Sequence, residues 1–180
     1  MSDKATSPSA GGFVLPEGAR TFFDYGPQRL FAKVARPTGT RRDLILFDAY
    51  WACLCVGLLA REQAGPDKLE KDRFLVAYPD DYEPYGEYIA GLLVEAELSA
   101  VHTENYTEPE LERAIANLLK VSAPTRLSPK GLGLLNRYAA GGYQIIREKM
   151  RPRPTDIPNF LIRYQSVLDQ VGSDKVRRGR

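Results

Sequence analysis

Few residues of this 180-residue sequence could perform nucleophilic or metal chemistry. It contains one histidine, His102, and two cysteines, Cys53 and Cys55. A site built from Cys and His needs about four ligands, or three and a water, and a Ser-His-Asp or Cys-His-Asn triad would have to use His102. We expect His102 to end a helix and both cysteines to pack in the interior, since no cation near them in the sequence would stabilise a thiolate. The sequence therefore predicts no catalytic residue, no metal site, no cofactor and no enzyme.

Carboxylates are the other groups that could do chemistry. Asp48 lies inside the apolar stretch 44–60, where a charged group needs a partner such as an arginine or a tyrosine hydroxyl. We expect Asp48 to be buried with such a partner. Asp80, Asp81 and Glu83 could gather a divalent cation, but acids clustered in a proline-containing loop are usually solvated, and we expect no metal there.

No glycine-rich phosphate-binding loop is recognisable. Lys130-Gly131-Leu132-Gly133 has the pattern of neither known loop. We expect Gly131 and Gly133 to allow close helix packing, and Gly141-Gly142 to mark a kink or a close helix crossing.

Acidic and basic residues are segregated along the chain. Residues 80–112 hold ten acids and no lysine or arginine, so the remainder holds 13 acids and all 25 basic residues. The prolines of Arg151-Pro152-Arg153-Pro154 predict an extended segment that exposes two guanidiniums, which suit phosphate geometry. The pattern favours a molecule that binds a polyanion on one side and a basic partner on the other, although solvated helix faces would look the same. The candidate nucleic-acid-binding residues are Arg36, Arg41, Arg42, Arg147, Lys149, Arg151, Arg153, Lys175, Arg177 and Arg178.

Helices have to position these residues, because helical signals dominate the sequence. We expect a mainly α protein, with a single globular domain of six or seven helices over 13–172 and at most a minor strand element. A disordered leader is predicted at 1–12 and a basic tail at 173–180. Thr107-Glu108-Pro109-Glu110 has the form of a capping box. Helices are predicted at about 19–35 in two pieces, 42–62, 85–101, 107–121, 128–150 and from 156 onward, an extended piece at 13–16, a polar loop at 64–72 and a short strand at 74–78.

The stretch 44–60 is the one candidate for a membrane span. It has 17 residues and contains Asp48, whereas a transmembrane helix needs about 20 apolar residues. We therefore predict a central buried helix. Cys53 and Cys55 would point about 200° apart on it, so they cannot form an ordinary disulfide with each other. Since no secretory signal is visible, we expect a cytoplasmic protein without membrane contact.

One segment resembles a known family. Thr38-Gly39-Thr40, followed by the apolar helix with Trp51-Ala52-Cys53-Leu54-Cys55, resembles the part of DndE proteins in which a Thr-Gly turn precedes a helix rich in Trp, Cys and Leu. The segments 82–93 and 138–146 are similar to the middle and late helices of that family. DndE is the small helical protein of bacterial DNA phosphorothioation systems. The resemblance therefore implies binding to duplex DNA through basic side chains, without catalysis.

This chain departs from the family's pattern in three respects. It is longer, it carries Arg41-Arg42 where the family's turn is less basic, and its middle is acidic. By position, only Arg36, Arg41 and Arg42 match the basic entry to the family's helix. We predict a non-enzymatic subunit of a bacterial DNA-modification or phage-defence complex, with its basic clusters on the DNA backbone and its acidic segment on a protein partner. The alternative is a protein–protein adaptor in a larger complex that contacts no nucleic acid.

Overall fold

The computed structural model describes residues 11–23, 44–100 and 106–178, without the side chains of residue 100 and residues 175–178. Two strands and six α-helices lie in these ranges, which confirms the predicted mainly α fold with a minor strand element. They are β1 (Phe13–Pro16), α1 (Ala19–Phe22), α2 (Leu46–Ala60), β2 (Leu69–Leu75), α3 (Gly86–Ala100), α4 (Glu108–Ala116), α5 (Pro129–Lys149) and α6 (Ile157–Arg178), with 3-10 turns at Pro66–Lys68 and Glu83–Tyr85. Most of the predicted leader, and the second helical piece predicted within 19–35, lie outside the described residues.

The crossing of α2 and α5 is the centre of the fold. Glycines lie on both helices where they meet. A Cβ atom at Gly57 would collide with the carbonyl oxygen of Tyr138, and one at Gly142 would collide with that of Cys53. The two backbones therefore approach more closely than side chains would allow. The close crossing predicted for Gly141-Gly142 is found, and α5 runs through both glycines without interruption.

The other two glycines singled out in α5 differ from each other. A Cβ atom at Gly131 would collide with the carbonyl oxygen of Leu118, so this glycine does allow close packing, as predicted. At Gly133 a Cβ atom would have no neighbour within 4 Å. The prediction of close packing is therefore wrong for Gly133, whose Cα faces open space.

Helix α2 is packed on most sides, as predicted for the stretch 44–60. Tyr50, Cys53, Leu54 and Val56 are fully buried, because α3, α5 and α6 pack around this helix. Trp51 is half-buried at its edge. Within the described ranges, no helix combines the length and the apolar character that crossing a membrane requires.

Asp48 is half-buried, not buried as predicted. Its Oδ1 accepts a hydrogen bond from the hydroxyl of Tyr82 at 2.6 Å, and its Oδ2 accepts one from the backbone N–H of Ile45 at 2.6 Å. The partner of Asp48 is therefore a tyrosine hydroxyl, one of the two alternatives predicted. Asp48 remains near the surface because it also caps the first turn of α2, where backbone N–H groups lack partners within the helix.

Strands β1 and β2 form an antiparallel pair with an irregular register. Every residue of β1 is buried, which confirms the predicted docking of 13–16 on the core. The prediction of a polar loop at 64–72 and a strand at 74–78 is wrong, because β2 begins at Leu69 and ends at Leu75. Its middle residues are charged and exposed, and a run of charges without alternating apolar residues gives no strand signal.

Asn136 of α5 binds the backbone of the β1 segment. Its Oδ1 accepts hydrogen bonds from the backbone N–H of Val14 at 3.1 Å and from the hydroxyl of Tyr50 at 2.9 Å. Its Nδ2 donates to the carbonyl oxygen of Gly12 at 3.1 Å. The buried amide thus pairs with a donor and an acceptor of the extended backbone, as a residue of a neighbouring strand would.

Two helices end at positions that differ from the prediction. The capping box of α4 is found, since the N–H of Thr107 donates to Oε2 of Glu110 at 2.8 Å. However, α4 ends at Ala116 and not near 121, because the following chain turns back to form a bridge between Leu119 and Leu127. Helix α6 continues to Arg178. The boundary predicted between domain and basic tail at 172–173 therefore lies inside a helix.

Candidate nucleic-acid interface

The last turn of α5 carries two of the predicted basic residues, Arg147 and Lys149. Both are exposed. The guanidinium of Arg147 lies 5.8 Å from the centre of the Tyr143 ring, a cation–π arrangement that holds it against the helix. Lys149 donates a hydrogen bond from Nζ to Oε1 of Gln170 at 3.1 Å. This hydrogen bond places the end of α5 beside the C-terminal half of α6.

The segment Arg151-Pro152-Arg153-Pro154 connects α5 to α6 and exposes both arginines, as predicted. Buried residues, Met150 and Pro154, anchor it at its two ends. Arg153 donates from Nη1 to the carbonyl oxygen of Thr21 at 2.7 Å. The carbonyl oxygen of Pro152 accepts a hydrogen bond from Nη1 of Arg163 at 2.5 Å. Hydrogen bonds with α1 and α6 therefore fix the path of this segment.

Arg163 is a basic residue of this region that belongs to none of the predicted basic clusters. It is half-buried on α6 and adds a positive charge directly beside the backbone of the connecting segment. It stands between apolar and aromatic residues in the sequence, with no other basic residue near it. A search for clusters therefore misses it, and only the packing of α6 on the segment reveals it.

The cations at the end of α5 are not neutralised by the acids that the structure describes. In those parts of the chain, Arg147, Lys149 and Arg151 have no ion-pair partner. By contrast, Arg20 binds Glu70 at 3.0 Å and Lys68 binds Asp67 at 2.9 Å. Residues 147–180 contain nine basic and four acidic residues, so the potential over this part of the molecule is positive.

The remaining basic candidates fall into two groups. Arg36, Arg41 and Arg42 lie outside the described residues. Lys175, Arg177 and Arg178 lie on α6, where the backbone alone is described. Lys175 follows Gln170, the hydrogen-bond partner of Lys149, by five residues, or about 7.5 Å along the helix. The hydrogen bond of Lys149 therefore places the end of the first cluster beside α6, whose backbone continues into the second.

Six of the ten acids of residues 80–112 lie on α3 and α4, and three others precede α3 in the chain. Glu95 accepts a hydrogen bond from Arg61 at 3.4 Å, and Oε1 of Glu97 accepts one from Gln63 at 2.7 Å and one from Tyr138 at 2.8 Å. Neither Glu95 nor Glu97 contacts the arginines that connect α5 to α6. These two carboxylates therefore do not cancel the positive charge there.

The groups considered for catalysis are enclosed or dispersed. Burial raises the pKa of both cysteine thiols, that of Cys55 to about 12. A thiol with a raised pKa is a poor nucleophile at neutral pH. Among residues 11–23, 44–100 and 106–178, no three His, Cys, Asp or Glu side chains form a group that could hold a metal ion. His102 lies outside these ranges.

Comparison with known proteins gave no match to a family model, to a curated protein or to a solved structure. The function of this chain therefore has to be inferred from its own residues.

Proposed function

We propose that this protein is a non-enzymatic subunit of a bacterial DNA-modification or phage-defence complex that binds the backbone of double-stranded DNA. The binding surface, here called the basic end, consists of Arg147, Lys149, Arg151 and Arg153 together with residues 175–178 of α6. The hydrogen bond between Lys149 and Gln170 carries this proposal. It places Lys149 beside α6, five residues before Lys175 of the second basic cluster. Within the described part of the chain, Arg147, Lys149 and Arg151 have no carboxylate partner.

Phosphate recognition is the chemistry that suits the basic end. Guanidinium forks and ammonium groups form charge-assisted hydrogen bonds with phosphate oxygens. Because Arg163 holds the carbonyl of Pro152 and Thr21 accepts a hydrogen bond from Arg153, the backbone of the connecting segment loses little conformational freedom on binding. Such hydrogen bonds read the DNA backbone and not its base sequence.

The acidic segment supports the second part of the proposal, a basic protein partner. Tyr85 and Tyr88 are exposed near the start of α3, on either side of the exposed Glu87. Tyrosine is enriched in protein interfaces, and acids beside it favour a partner of opposite charge. Protein and DNA would then use different surfaces. The same feature favours the alternative function, an adaptor that binds protein alone.

The resemblance to DndE supports the choice of complex. It rests on Thr38-Gly39-Thr40 and the Trp/Cys/Leu-rich helix α2, and it implies DNA binding through Arg36, Arg41 and Arg42 as well.

Fluorescence anisotropy with labelled duplexes of unrelated sequence, repeated over a salt series, tests the proposal. We expect Arg151→Ala combined with Arg153→Ala to weaken binding to all duplexes about equally. We also expect the slope of log affinity against log salt to fall by about one unit for each phosphate that the variant no longer binds. Arg151→Ala alone should give about half of this effect, and it removes no hydrogen bond within the described part of the chain.

A matched control removes the same charge elsewhere. Arg113→Ala combined with Lys120→Ala takes two exposed cations from α4 and the turn after it, and it should leave the salt slope unchanged. Equal affinity of the native chain and both double variants, with unchanged thermal stability, would contradict DNA binding at the basic end. The adaptor function would then be the better explanation.

A further inference from the structure

An open groove lies along the N-terminal half of α5. Its volume is about 340 Å³, and it is bounded by β1 and by the 3-10 turn Pro66–Lys68 with the start of β2. This is roughly twice the ~150 Å³ of an apolar cavity that holds one benzene molecule, and it falls within the ~300–1,000 Å³ typical of small-molecule sites. Lys130 in the groove and Lys149 in the basic end are about 28 Å apart along α5. The groove is therefore a separate site.

The walls of the groove are apolar, but two cations lie in it. Val14, Leu69 and Leu132 contribute to the walls, and none of the described residues that line the groove is acidic. Lys130 and Arg137 are both lining residues. They are seven residues apart, so they lie on one face of α5, about 10.5 Å from each other along its axis. Across the described ranges, neither has an ion-pair partner.

Arg137 is oriented by the protein itself. Its Nε donates a hydrogen bond to the carbonyl oxygen of Ala64 at 3.1 Å, and its own carbonyl oxygen accepts one from the N–H of Ala64 at 3.0 Å. The terminal guanidinium nitrogens make no hydrogen bond to the described part of the chain. The N–H groups of these nitrogens are thus held in position and can donate hydrogen bonds to an anion.

Gly133 leaves the helix surface between the two cations without a side chain. It lies between Lys130 and Arg137 on α5, and it lines the groove. Glycine inside a helix destabilises it relative to alanine. Packing explains this residue type at Gly57, Gly131 and Gly142, but a Cβ atom at Gly133 would meet nothing within 4 Å. Gly91 and Gly172 share this property outside the groove, so it is no sign of a ligand by itself. In the groove, however, the exposed Gly133 leaves the backbone of α5 open to close approach by a molecule that lies between Lys130 and Arg137.

We propose that this groove binds a small amphipathic anion. The anion carries a carboxylate, which binds Arg137, and Lys130 adds to the positive potential around it. An apolar body of about ten carbon atoms, on the scale of two benzene rings, lies over Gly133 and contacts the apolar walls. Two cations without an ion-pair partner, and no acid among the described lining residues, favour an anion over a neutral or cationic molecule of the same shape.

Isothermal titration calorimetry of the full chain with decanoate, below its micelle-forming concentration, tests this site. We expect Gly133→Leu to weaken decanoate binding at least about tenfold, because the leucine side chain fills the groove. The same variant should melt at a higher temperature than the native chain, because leucine favours a helix more than glycine does. The matched control is Gly91→Leu on α3, where a Cβ atom also meets nothing within 4 Å, and it should leave decanoate binding unchanged.

A second experiment tests the contribution of charge to binding. Lys130→Gln should weaken decanoate binding about threefold, and 1-decanol and decyltrimethylammonium should bind more weakly than decanoate. Binding that Gly133→Leu leaves unchanged, or equal binding of the three decyl compounds, would overturn the proposal. Decanoate binding that appears only after residues 1–10 are removed would also overturn the proposal, because it would show that these residues occupy the groove. DNA affinity is expected to be the same in all these variants, so a failure here is independent of the proposed function.

Discussion

The carboxylate of Asp48 joins two separate parts of the chain through two short hydrogen bonds. It accepts from the N–H of Ile45 at the start of α2 and from the hydroxyl of Tyr82 in the loop before α3. The ring of Tyr82 in turn lies 4.5 Å from that of Phe47 and 6.0 Å from that of Trp51, measured between ring centres. One side chain thus holds the loop against the central helix.

Asp48→Ala is expected to destabilise the protein by more than about 1 kcal/mol, because the hydroxyl of Tyr82 and the N–H of Ile45 both lose an acceptor. Urea denaturation with an unchanged m-value would measure this. Asp48→Asn keeps one acceptor oxygen and should cost less. In a Tyr82→Phe background the cost of Asp48→Ala should fall, since the hydroxyl that donates to Asp48 is already gone. Equal cost in both backgrounds would show that the hydrogen bond to Tyr82 contributes no stability.

At the scale of elements, the α2–α5 crossing depends on helices that carry no side chain at the point where they touch. Leucine-rich helices pack through interlocking side chains, with their axes about 8–10 Å apart. Here Gly57 and Gly142 remove the side chains, and backbone meets backbone. The space for even one methyl group is missing, so the crossing should be the position in the fold least tolerant of substitution.

Gly142→Ala should therefore destabilise the protein by about 3 kcal/mol or more, because the new methyl group would collide with the carbonyl of Cys53 and the helices would have to separate. Gly172→Ala on α6 is the matched control. A Cβ atom there meets nothing within 4 Å, so this variant should be as stable as the native chain or up to about 1 kcal/mol more stable. Chemical denaturation of both variants measures the two free energies of unfolding. Equal stability of the two variants would show that the α2–α5 crossing tolerates a methyl group.

The sequence predicts those elements whose signal is local. The apolar stretch of α2 and the capping box at Thr107 depend on neighbouring residues only, and both are found. Strand β2 could not be predicted in the same way, because its charged residues are held as a strand by pairing with β1, more than 50 residues away.

The candidate site likewise combines features that follow from neighbouring residues with features that depend on distant ones. Exposure of Arg151 and Arg153 follows from two nearby prolines, whereas the hydrogen bond of Lys149 with Gln170 and the role of Arg163 depend on how α6 packs. The groove beside Gly133 could not be predicted either, since a glycine kept for packing and one that leaves space look the same in a sequence.

For the molecule as a whole, buried tyrosines link stability to pH. Burial is the main cause that raises the pKa of five tyrosine hydroxyls, and it raises the pKa of Tyr138 to about 12. The five are Tyr50, Tyr78, Tyr138, Tyr143 and Tyr164. In the unfolded chain their pKa is about 10. Their contribution to stability is therefore complete below about pH 10 and is lost as the pH rises through the higher values of the folded state.

We expect cooperative alkaline unfolding above about pH 10, with tyrosinate absorbance and circular dichroism changing together. Tyr78→Phe provides the test, because the Tyr78 hydroxyl is buried and has no hydrogen-bond partner in the described structure. Its removal should raise stability at neutral pH by about 1 kcal/mol and move alkaline unfolding to higher pH. Tyrosinate formation well before unfolding, or an unchanged transition in Tyr78→Phe, would contradict this account.

The hydrogen bonds from Asn136 to the β1 segment also have a consequence for the order of events during synthesis. Val14 and Asn136 are separated by 122 positions. At the usual rate of translation, roughly 5–20 residues per second, β1 leaves the ribosome about 6–24 s before the amide that binds it. Strand β2 emerges earlier and can pair with β1 on one side in the meantime. The apolar residues of β1 stay without their final covering until α5 has been made, so during this interval they are open to aggregation or to a chaperone.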